Sequence, residues 1–437
     1  MPTSWLPTSQ NKTWLAEGAV LAVCLPFLIF PNRSISATFL ALLGLILIET
    51  IPVLLKKRPL PAPTPIDLPL LLFSLILALT IVVSADPDLT LDKAAGVLLG
   101  LFSLRYLLRT LDTTRFWHLA FILFGLMGLG FVTLGILNAG WLTKIDLLTP
   151  IIDQLPNQII AVPGQPDSGI HPNQIAGTLL FYLPLTWAGL AGSWQQNGRF
   201  LNFLWLSLSL AATGALLLTQ SRSGWLGGAA ALYVLIALWA FALPKNHSQR
   251  RQLFVLLGIL TLAGFIGLLA VGPGRLLALW EDPVQQTAVG SLGSLGFRQE
   301  MWRWSIVAIQ DFPFTGVGLG SFRRVIRRLY PLSIDPGYDV AHAHNIFLHT
   351  AVDIGIPGLI VYLALIGLVL VLGWQVARQN TPMRPYALGL IAGLIAFHIY
   401  GMGDVLALGS KTGLAFWILI GLVVTLYQMP RPSPNAT

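Results

Sequence analysis

Charged residues are scarce in this chain of 437 residues, since only 10% are Asp, Glu, Lys or Arg while 55% are hydrophobic. A soluble protein carries roughly 25% charged residues, and its surface needs polar cover however large the core is. The composition therefore excludes an ordinary soluble protein and predicts a membrane protein. The single cysteine, Cys24, excludes an intrachain disulfide.

A cleavage pattern of small residues is also missing after the first apolar run, residues 16–31, so we expect the first helix to remain as an anchor. Twelve apolar runs approach the roughly 20 residues that a helix needs to cross a bilayer. Their predicted bounds are 15–31, 35–55, 66–84, 92–109, 116–139, 173–193, 200–218, 224–243, 252–271, 345–373, 385–403 and 412–428. The tenth run is too long for one simple span, and its Gly-Ile-Pro-Gly at 355–358 predicts a break after a short helix.

Lys and Arg are distributed unevenly between the predicted loops. With an inside N-terminus, fourteen of the 26 basic residues fall in inner segments, five in short outer loops and seven in one long outer loop, 272–343. Cations concentrate in short cytoplasmic loops, so both termini are predicted to be cytoplasmic. The same bias explains the formal net charge of +8 without a nucleic-acid partner.

These patterns predict an all-α polytopic membrane protein of about twelve transmembrane helices, with one large external loop that carries short amphipathic helices. Four regions follow one another in a single membrane domain. Residues 1–140 hold helices 1–5, and 141–271 hold helices 6–9 with an external loop at 141–171. The large external loop covers 272–343, and 344–437 hold helices 10–12 and the tail.

Polar residues concentrate at the predicted external face. Arg222, in Thr-Gln-Ser-Arg-Ser-Gly-Trp, precedes the eighth span, where a helix N-terminus and a guanidinium together favour a phosphate. An interfacial arginine that contacts lipid headgroups is the alternative. In the amphipathic helix predicted over 296–309, Arg298 and Trp302 share a face, and a helix that only lies on the membrane surface is the alternative.

The stretch 316–331 combines a glycine-rich start with four arginines. Ser321 is predicted to cap a basic helix, which either anchors the chain at the membrane surface or attracts a polyanion.

The Asp-Pro-Asp at 86–88 either binds metal diphosphate or, as its proline favours, forms a tight turn. Asn173 either caps the helix after it or contacts substrate. Asp353 and Asp404 lie at apolar stretches, where an acidic residue is costly.

His342, His344 and Asn345 stand at the mouth of the tenth span. His344 is predicted to begin that helix, whose dipole would keep the imidazole neutral and able to accept a proton. A metal site is the second interpretation, although histidines two apart on a helix point in different directions and no carboxylate–histidine framework accompanies them. Histidines that simply lie at the water boundary are the third.

The residues resemble the O-antigen ligase family, which shares a domain with lipid-linked polysaccharide polymerases. The most specific match is His344-Asn345, nine residues, then Gly355-Ile-Pro-Gly358. Four further segments also match: Ser-Arg-Ser-Gly-Trp at 221–225, Arg298 with Trp302, His-Pro-Asn at 171–173 and Gly-Val-Gly-Leu-Gly-Ser-Phe at 316–322. The motifs cover roughly residues 165–375.

The resemblance implies an enzyme at the outer face of the bacterial inner membrane. It would move glycan from an undecaprenyl-diphosphate carrier to an acceptor sugar, on a lipid or a glycan, with inversion and with no metal or other cofactor. His344 would be the catalytic histidine, and Arg222 and Arg298 the diphosphate-binding pair. Supporting roles would fall to His342, Asn345, Asn173, Trp302 and Ser321. Membrane lipids are the remaining expected partners.

Two other functions stay open. Relatives that share this domain have been labelled bicarbonate transporters, and a transporter is expected to have polar groups near the membrane midplane; here they gather at one face. A noncatalytic flippase or scaffold is the other. Ligase and polymerase are not distinguished, and the acceptor would be recognised by loops such as 141–170 and 275–295.

Overall fold

The computed structural model describes residues 9–31, 34–55, 63–111, 113–141, 143–144, 146–161, 170–195, 198–274, 294–334 and 339–429. Much of both loops to which acceptor recognition was assigned, 162–169 and 275–293, lies outside these residues. The described part is all-helical and contains no β-strand, which confirms the predicted fold class.

The helices are numbered here in chain order. They are α1 Ser9–Ile29, α2 Ile35–Leu54, α3 Asp67–Val82, α4 Pro87–Thr110, α5 Thr114–Leu137, α6 Thr149–Ile152, α7 Pro172–Leu179, α8 Leu183–Gln195, α9 Arg199–Leu218, α10 Arg222–Ala242, α11 Ser248–Val271, α12 Ser294–Asp311, α13 Phe322–Leu329, α14 Ile346–Ala377, α15 Arg384–Tyr400 and α16 Leu414–Gln428.

Seven helical segments in the described residues are long and apolar enough to cross a membrane. They are Thr114–Leu137, Pro172–Trp194, Arg199–Leu218, Arg222–Ala242, Ser248–Val271, Ile346–Ala377 and Lys411–Gln428. Four shorter apolar helices accompany them: Ala16–Ile29, Ile35–Ile51, Asp67–Val82 and Arg384–Tyr400. The count of about twelve spans and the arrangement of the loops therefore stay predictions.

Helix α15 lies at the centre of the bundle, where it packs against α8, α10, α14 and α16. Small residues allow this close approach: a Cβ added at Gly393 would lie 2.9 Å from the Phe181 carbonyl oxygen. Small residues at helix contacts are typical of membrane bundles, where dispersion rather than water exclusion drives association. Asp404 follows α15 by four residues, so the packing of α15 determines where this residue lies.

The predicted external segment has a small hydrophobic core of its own. Met301 and Ala308 of α12 and Phe322 of α13 are buried with Val352 of α14. The two amphipathic helices thus pack onto the chain instead of lying only on a membrane surface. This packing holds α12, and with it Arg298, against the beginning of α14.

Helix α14 is interrupted at Gly355, as the Gly-Ile-Pro-Gly sequence predicted. Gly355 has φ +75° and ψ 172°, and Pro357 follows at the start of the long second part. A Cβ at Gly355 would lie 2.4 Å from the Phe314 carbonyl oxygen, so the backbone of the segment before α13 occupies its place. The break orients the short first part, Ile346 to Ile354, independently of the long one.

Gly355→Ala is expected to destabilise the protein, by about 1–3 kcal/mol from the positive φ alone, because an L-residue rarely adopts that conformation. The clash with Phe314 adds to this cost. The measurement is the thermal unfolding midpoint in detergent. Gly367→Ala is the matched control, since Gly367 lies in the same helix with open space around its Cβ position; equal midpoints for the two variants would contradict the assignment.

Candidate active site

His344 stands two residues before α14, not at its first turn as predicted. Asn345 is the N-cap, and its Oδ1 accepts hydrogen bonds from the backbone N–H groups of Phe347 and Leu348. His344 has φ +51°, a left-handed conformation that is rare outside glycine. Strained backbone of this kind persists where the surroundings dictate it and concentrates at functional sites. The Ile346 N–H donates to the Gly401 carbonyl at 2.6 Å, which ties this turn to the end of α15.

The polar groups of this region surround Asp404, a buried residue that is 4% exposed. Its Oδ1 lies 3.5 Å from Nδ1 of His344 and 3.7 Å from Nε2 of His342. Its Oδ2 accepts a hydrogen bond of 2.6 Å from Nδ2 of Asn173, and the backbone N–H of Val405 donates to Oδ1. The sequence identified Asp404 as unusual without assigning a role; its position beside both histidines supplies one.

The charge state of this carboxylate follows from its neighbours. Burial raises the pKa of Asp404, but His344, His342 and Arg298 outweigh burial and hold that pKa well below its usual range. Burial lowers the pKa of His342, and the adjacent His344 lowers it further. The site therefore places an ionised carboxylate beside the His342 imidazole and against Nδ1 of His344.

The sequence argument against a metal site was wrong in its geometry. His342 and His344 precede the helix, so their rings do not point apart; the ring centroids are 4.2 Å apart. Asp404 supplies the carboxylate that was missed, and one ligand atom from each of the three residues lies within 4.8 Å of the others. The cluster has the composition of a cation site, and the absence of metal from the reaction stays a prediction.

Helix α12 brings two predicted residues to the cluster. Nε of Arg298 donates to the Gly403 carbonyl at 2.7 Å, which fixes the guanidinium beside Asp404. Nε1 of Trp302 donates to the His344 carbonyl at 3.3 Å. Trp302 therefore holds the backbone of the strained histidine.

Lys144 enters the site from the loop after α5, and the sequence treated it only as one of the few outer-loop cations. Its Nζ donates to Oδ1 of Asn173 at 3.3 Å. Its backbone N–H donates to Oε1 of Gln220, 2.8 Å away, which connects this loop to the turn before α10. No sequence motif indicated Lys144, because its partners are distant in the chain.

Arg222 interacts electrostatically with Lys144. Burial lowers the pKa of Lys144 to about 8; the Asp404 carboxylate opposes this effect, while the charges of Arg222 and Arg298 add to it. Arg222 is the first residue of α10, immediately after the N-cap Ser221, and does not precede the helix as predicted. Arg222 thus interacts electrostatically with Lys144 and Arg298, and these two cations also interact with Asp404.

Asn173 does not cap α7, contrary to one of its two interpretations. The N-cap is His171, whose Nδ1 accepts a hydrogen bond from the backbone N–H of Asn173. Burial, followed by the charge of Lys144, lowers the pKa of His171 to about 4, so this imidazole stays a neutral acceptor. The Asn173 side chain is thereby available to join Lys144 to Asp404.

Ser321 occupies the N-cap position of α13, but its side chain makes no capping hydrogen bond. Its hydroxyl is fully buried, and lies 2.9 Å from Oγ of Ser84 and 3.3 Å from Oγ1 of Thr90. The glycine loop before it does not offer all its N–H groups to an anion. The Gly318 N–H donates to the Asp353 carbonyl and the Gly320 N–H to the Asp353 side chain.

The Asp-Pro-Asp at 86–88 is a helix start and not a free-standing tight turn. Asp86 caps α4 by accepting a hydrogen bond from the Leu89 N–H, and Pro87 occupies the first turn. Oδ2 of Asp86 also lies 3.2 Å from Nε of Arg324. This motif therefore joins α4 to α13.

Comparison with known families agrees with the resemblance that the motifs suggested. Residues 207–363 match the family model of the O-antigen ligase domain. No curated protein matches the chain. The chain thus contains a segment similar to the O-antigen ligase domain, and its apolar helices indicate a membrane protein.

The O-antigen ligase domain contains most of the residues that the sequence selected, namely Arg222, Arg298, Trp302, Ser321, His342, His344 and Asn345. Three residues at the site lie outside its bounds: Lys144, Asn173 and Asp404. Segments outside the domain thus complete the site. The motifs had included Asn173, through His-Pro-Asn at 171–173, but neither Lys144 nor Asp404.

Proposed function

We propose that this chain is a glycosyltransferase that moves glycan from an undecaprenyl-diphosphate carrier to an acceptor sugar at the outer face of the inner membrane. The observation that carries the proposal is that Lys144, Arg222 and Arg298 interact with one another, and that Lys144 and Arg298 also interact with the Asp404 carboxylate beside His344. Three cations suit a diphosphate, and an imidazole supported by a carboxylate suits a hydroxyl that must lose its proton. The match to the O-antigen ligase domain supports a lipid-linked glycan as the substrate class.

The leaving group explains the cations. When the bond between the sugar C1 and the carrier phosphate oxygen breaks, both bonding electrons stay on the diphosphate. Groups that stabilise such developing charge typically contribute about 3 kcal/mol each to the transition state. Arg298, fixed through its Nε, is already in position before charge develops, and the N-terminus of α10 adds its dipole beside Arg222.

His344 is the proposed base that takes the proton from the acceptor hydroxyl. The acceptor oxygen attacks C1 from the face opposite the diphosphate, which inverts the anomeric configuration, and its proton passes to Nε2 of His344. Nδ1 of His344 faces Asp404, so the carboxylate favours the tautomer with the proton on Nδ1 and then stabilises the imidazolium. The products are the new glycosidic bond and the free carrier diphosphate.

The test of this function compares bacteria with and without the gene. Long carrier-linked chains that accumulate on deletion would indicate a ligase, and single carrier-linked repeat units a polymerase. Unchanged carrier-linked glycans would overturn the proposal and leave a transporter or scaffold.

Washing the membranes with EDTA should leave glycan transfer intact. If EDTA abolishes transfer and Zn²⁺ restores it, the His342–His344–Asp404 cluster binds a required metal.

Lys144 is expected to make donor binding dependent on pH. Its pKa of about 8 means that the ammonium is present below that pH and is lost above it. The KM for carrier-linked donor extracted from the deletion strain should therefore rise as pH increases through about 8. Lys144→Arg, which stays charged, should remove this rise, whereas Lys144→Gln should have a high KM at all pH values. An identical pH profile in all three proteins would exclude Lys144 from donor binding.

A further inference from the structure

His342, His344 and Asp404 form a compact set of potential metal ligands, in which both histidine rings approach the same carboxylate oxygen. Oδ1 of Asp404 lies 3.5 Å from Nδ1 of His344 and 3.7 Å from Nε2 of His342. One ligand atom from each residue lies within 4.8 Å of the other two. Two imidazole nitrogens and a carboxylate oxygen are a typical donor set for Zn²⁺. The general-base step uses His344 and Asp404, and it gives Nε2 of His342 no part.

The spacing of these atoms fits a bound cation better than a shared proton. Charge-assisted hydrogen bonds from a nitrogen to a carboxylate are about 2.7–2.9 Å long, shorter than either distance here. Ligand atoms bound to a tetrahedral Zn²⁺ lie about 3.3–3.4 Å from one another, close to the observed 3.5 Å and 3.7 Å. Nδ1 of His344 is buried and has no hydrogen-bond partner among the described residues. A Zn²⁺ ion between the three side chains supplies that partner.

The Asp404 carboxylate is oriented by bonds that leave it able to bind a cation. Nδ2 of Asn173 donates to Oδ2 at 2.6 Å, and the Val405 N–H donates to Oδ1 at 2.9 Å. Hydrogen bonds of this kind hold metal ligands in position. A carboxylate has about four lone-pair sites, so Oδ1 keeps one for a metal. The side chains of His342 and His344 are 24% and 20% exposed, which lets an ion enter from solvent.

Two features of the surroundings oppose permanent occupation of the site. Lys144 and Arg298 both interact with Asp404 and therefore repel a divalent cation. Nδ1 of His342 accepts a long hydrogen bond of 3.4 Å from the His344 N–H. That bond is lost when Nε2 of His342 binds metal, because the ring proton then lies on Nδ1. Zn²⁺ is therefore expected to exchange with solvent and not to remain as a resident cofactor.

We propose that His342, His344 and Asp404 form an inhibitory Zn²⁺ site. The assignment rests on the proposed glycan transfer, in which Nε2 of His344 accepts the acceptor proton. Zn²⁺ takes the lone pair of Nδ1 of His344, so Nδ1 gives its proton to solvent and Nε2 gains one. Nε2 then has no lone pair for the acceptor proton, and the acceptor hydroxyl stays protonated. Donor binding by Arg222 and Arg298 does not need this nitrogen and persists.

Metal binding is tested with Co²⁺ on the full-length protein, purified through a tag that contains no histidine. Co²⁺ binds the same ligands less tightly than Zn²⁺, and its visible absorption is strong only in tetrahedral sites. Native protein should show this absorption, and excess Zn²⁺ should abolish it. His342→Gln should weaken binding at least about 100-fold, because loss of even a hydrogen-bond partner of a ligand costs about 10–100-fold. His247→Gln is the matched control, since His247 is exposed between α10 and α11, and it should bind as the native chain does.

Asp404→Cys keeps a ligand at the carboxylate position and replaces oxygen by sulfur. A thiolate binds Zn²⁺ and similar ions at about 2.3 Å, so the cluster should still bind Co²⁺. The variant should gain near-ultraviolet absorption from charge transfer between thiolate and cobalt, a signal that a folding defect cannot produce. Cys24, the single native cysteine, lies in α1 and should give no such signal in the native protein.

Inhibition is measured as transfer from extracted carrier-linked donor, in membranes that are washed with EDTA and then titrated with Zn²⁺. At saturating Zn²⁺, kcat should fall by about 10²-fold or more while the donor KM stays native, because only the base is blocked. EDTA should reverse the loss, and extra donor should not. In His342→Gln, the Zn²⁺ concentration that halves the variant's own rate should rise at least about 100-fold. Zn²⁺ bound by the donor diphosphate would instead inhibit both proteins equally.

Three results would overturn the proposal: no tetrahedral Co²⁺ absorption, equal zinc sensitivity of the native chain and His342→Gln, or a native kcat with Zn²⁺ bound. Transfer that EDTA abolishes and Zn²⁺ restores would also overturn it, because the metal would then be required. If the native protein transfers no glycan, the proposed function fails. The Co²⁺ absorption, its loss in His342→Gln and the thiolate signal of Asp404→Cys still decide whether the three residues bind metal.

Discussion

His344→Ala is expected to lower glycan transfer by about 10²–10⁴-fold, the usual contribution of a general base. The change removes the imidazole that accepts the acceptor proton, and it leaves Asp404 with His342 and Asn173 as partners. The measurement is transfer from extracted carrier-linked donor, with the protein level in the membrane determined in parallel. Donor binding should change little, because the cations remain.

His247→Ala is the control for loss of a histidine, since His247 is exposed between α10 and α11, and it should transfer normally. Asp404→Asn tests the partner of the base. It keeps the shape but not the charge, so kcat should fall because the imidazolium that forms during transfer loses its counter-ion. A native kcat in Asp404→Asn would exclude the carboxylate charge from the mechanism. Normal transfer by His344→Ala at native protein levels would remove His344 from the mechanism.

Arg222→Lys and Arg298→Lys are each expected to lower transfer by about 10²-fold or more, although the positive charge is retained. Lysine cannot present the planar pair of N–H donors that binds two phosphate oxygens at once. In Arg298→Lys the hydrogen bond from Nε to the Gly403 carbonyl is also lost, so the cation is no longer fixed beside Asp404. Single-turnover transfer at saturating donor separates this loss from weaker binding.

Arg378→Lys supplies the comparison, because Arg378 caps the far end of α14 and has no role at the site. Native rates in both site variants would mean that Arg222 and Arg298 act as simple charges or as membrane anchors. A loss in Arg298→Lys alone would indicate that the anchored guanidinium binds the diphosphate without its proposed partner.

Local sequence patterns predicted the helices well, because helix formation and membrane burial depend on residues that are near one another in the chain. The break at Gly355 followed from a glycine and a proline two residues apart. The amphipathic helix around Arg298 and Trp302 followed from apolar residues at helical spacing, and the motif order indicated the O-antigen ligase domain correctly.

The sequence-based predictions were wrong for polar side chains that could take either of two local roles. Asn173 was a plausible cap, but His171 takes that position and Asn173 binds Asp404 instead. Ser321 was a plausible cap as well, yet its hydroxyl is bound to Ser84. Asp86 was assigned to a turn, and it caps a helix. In each case the hydrogen-bond partner in the folded chain decided the role of the side chain. Residue propensities for caps and turns could not rank the alternatives.

The amino-acid sequence by itself determined that this chain is a helical membrane protein, that one end of its helices is rich in polar groups, and that His344 and two arginines stand at that end. Hydrophobicity and charge act locally, so they can be read from composition and spacing. Only the tertiary structure decided that Asp404 lies beside both histidines and that Lys144 interacts with the two arginines. Asn173 and Asp404 are 231 residues apart, and such contacts depend on how helices pack, which no spacing within a motif encodes.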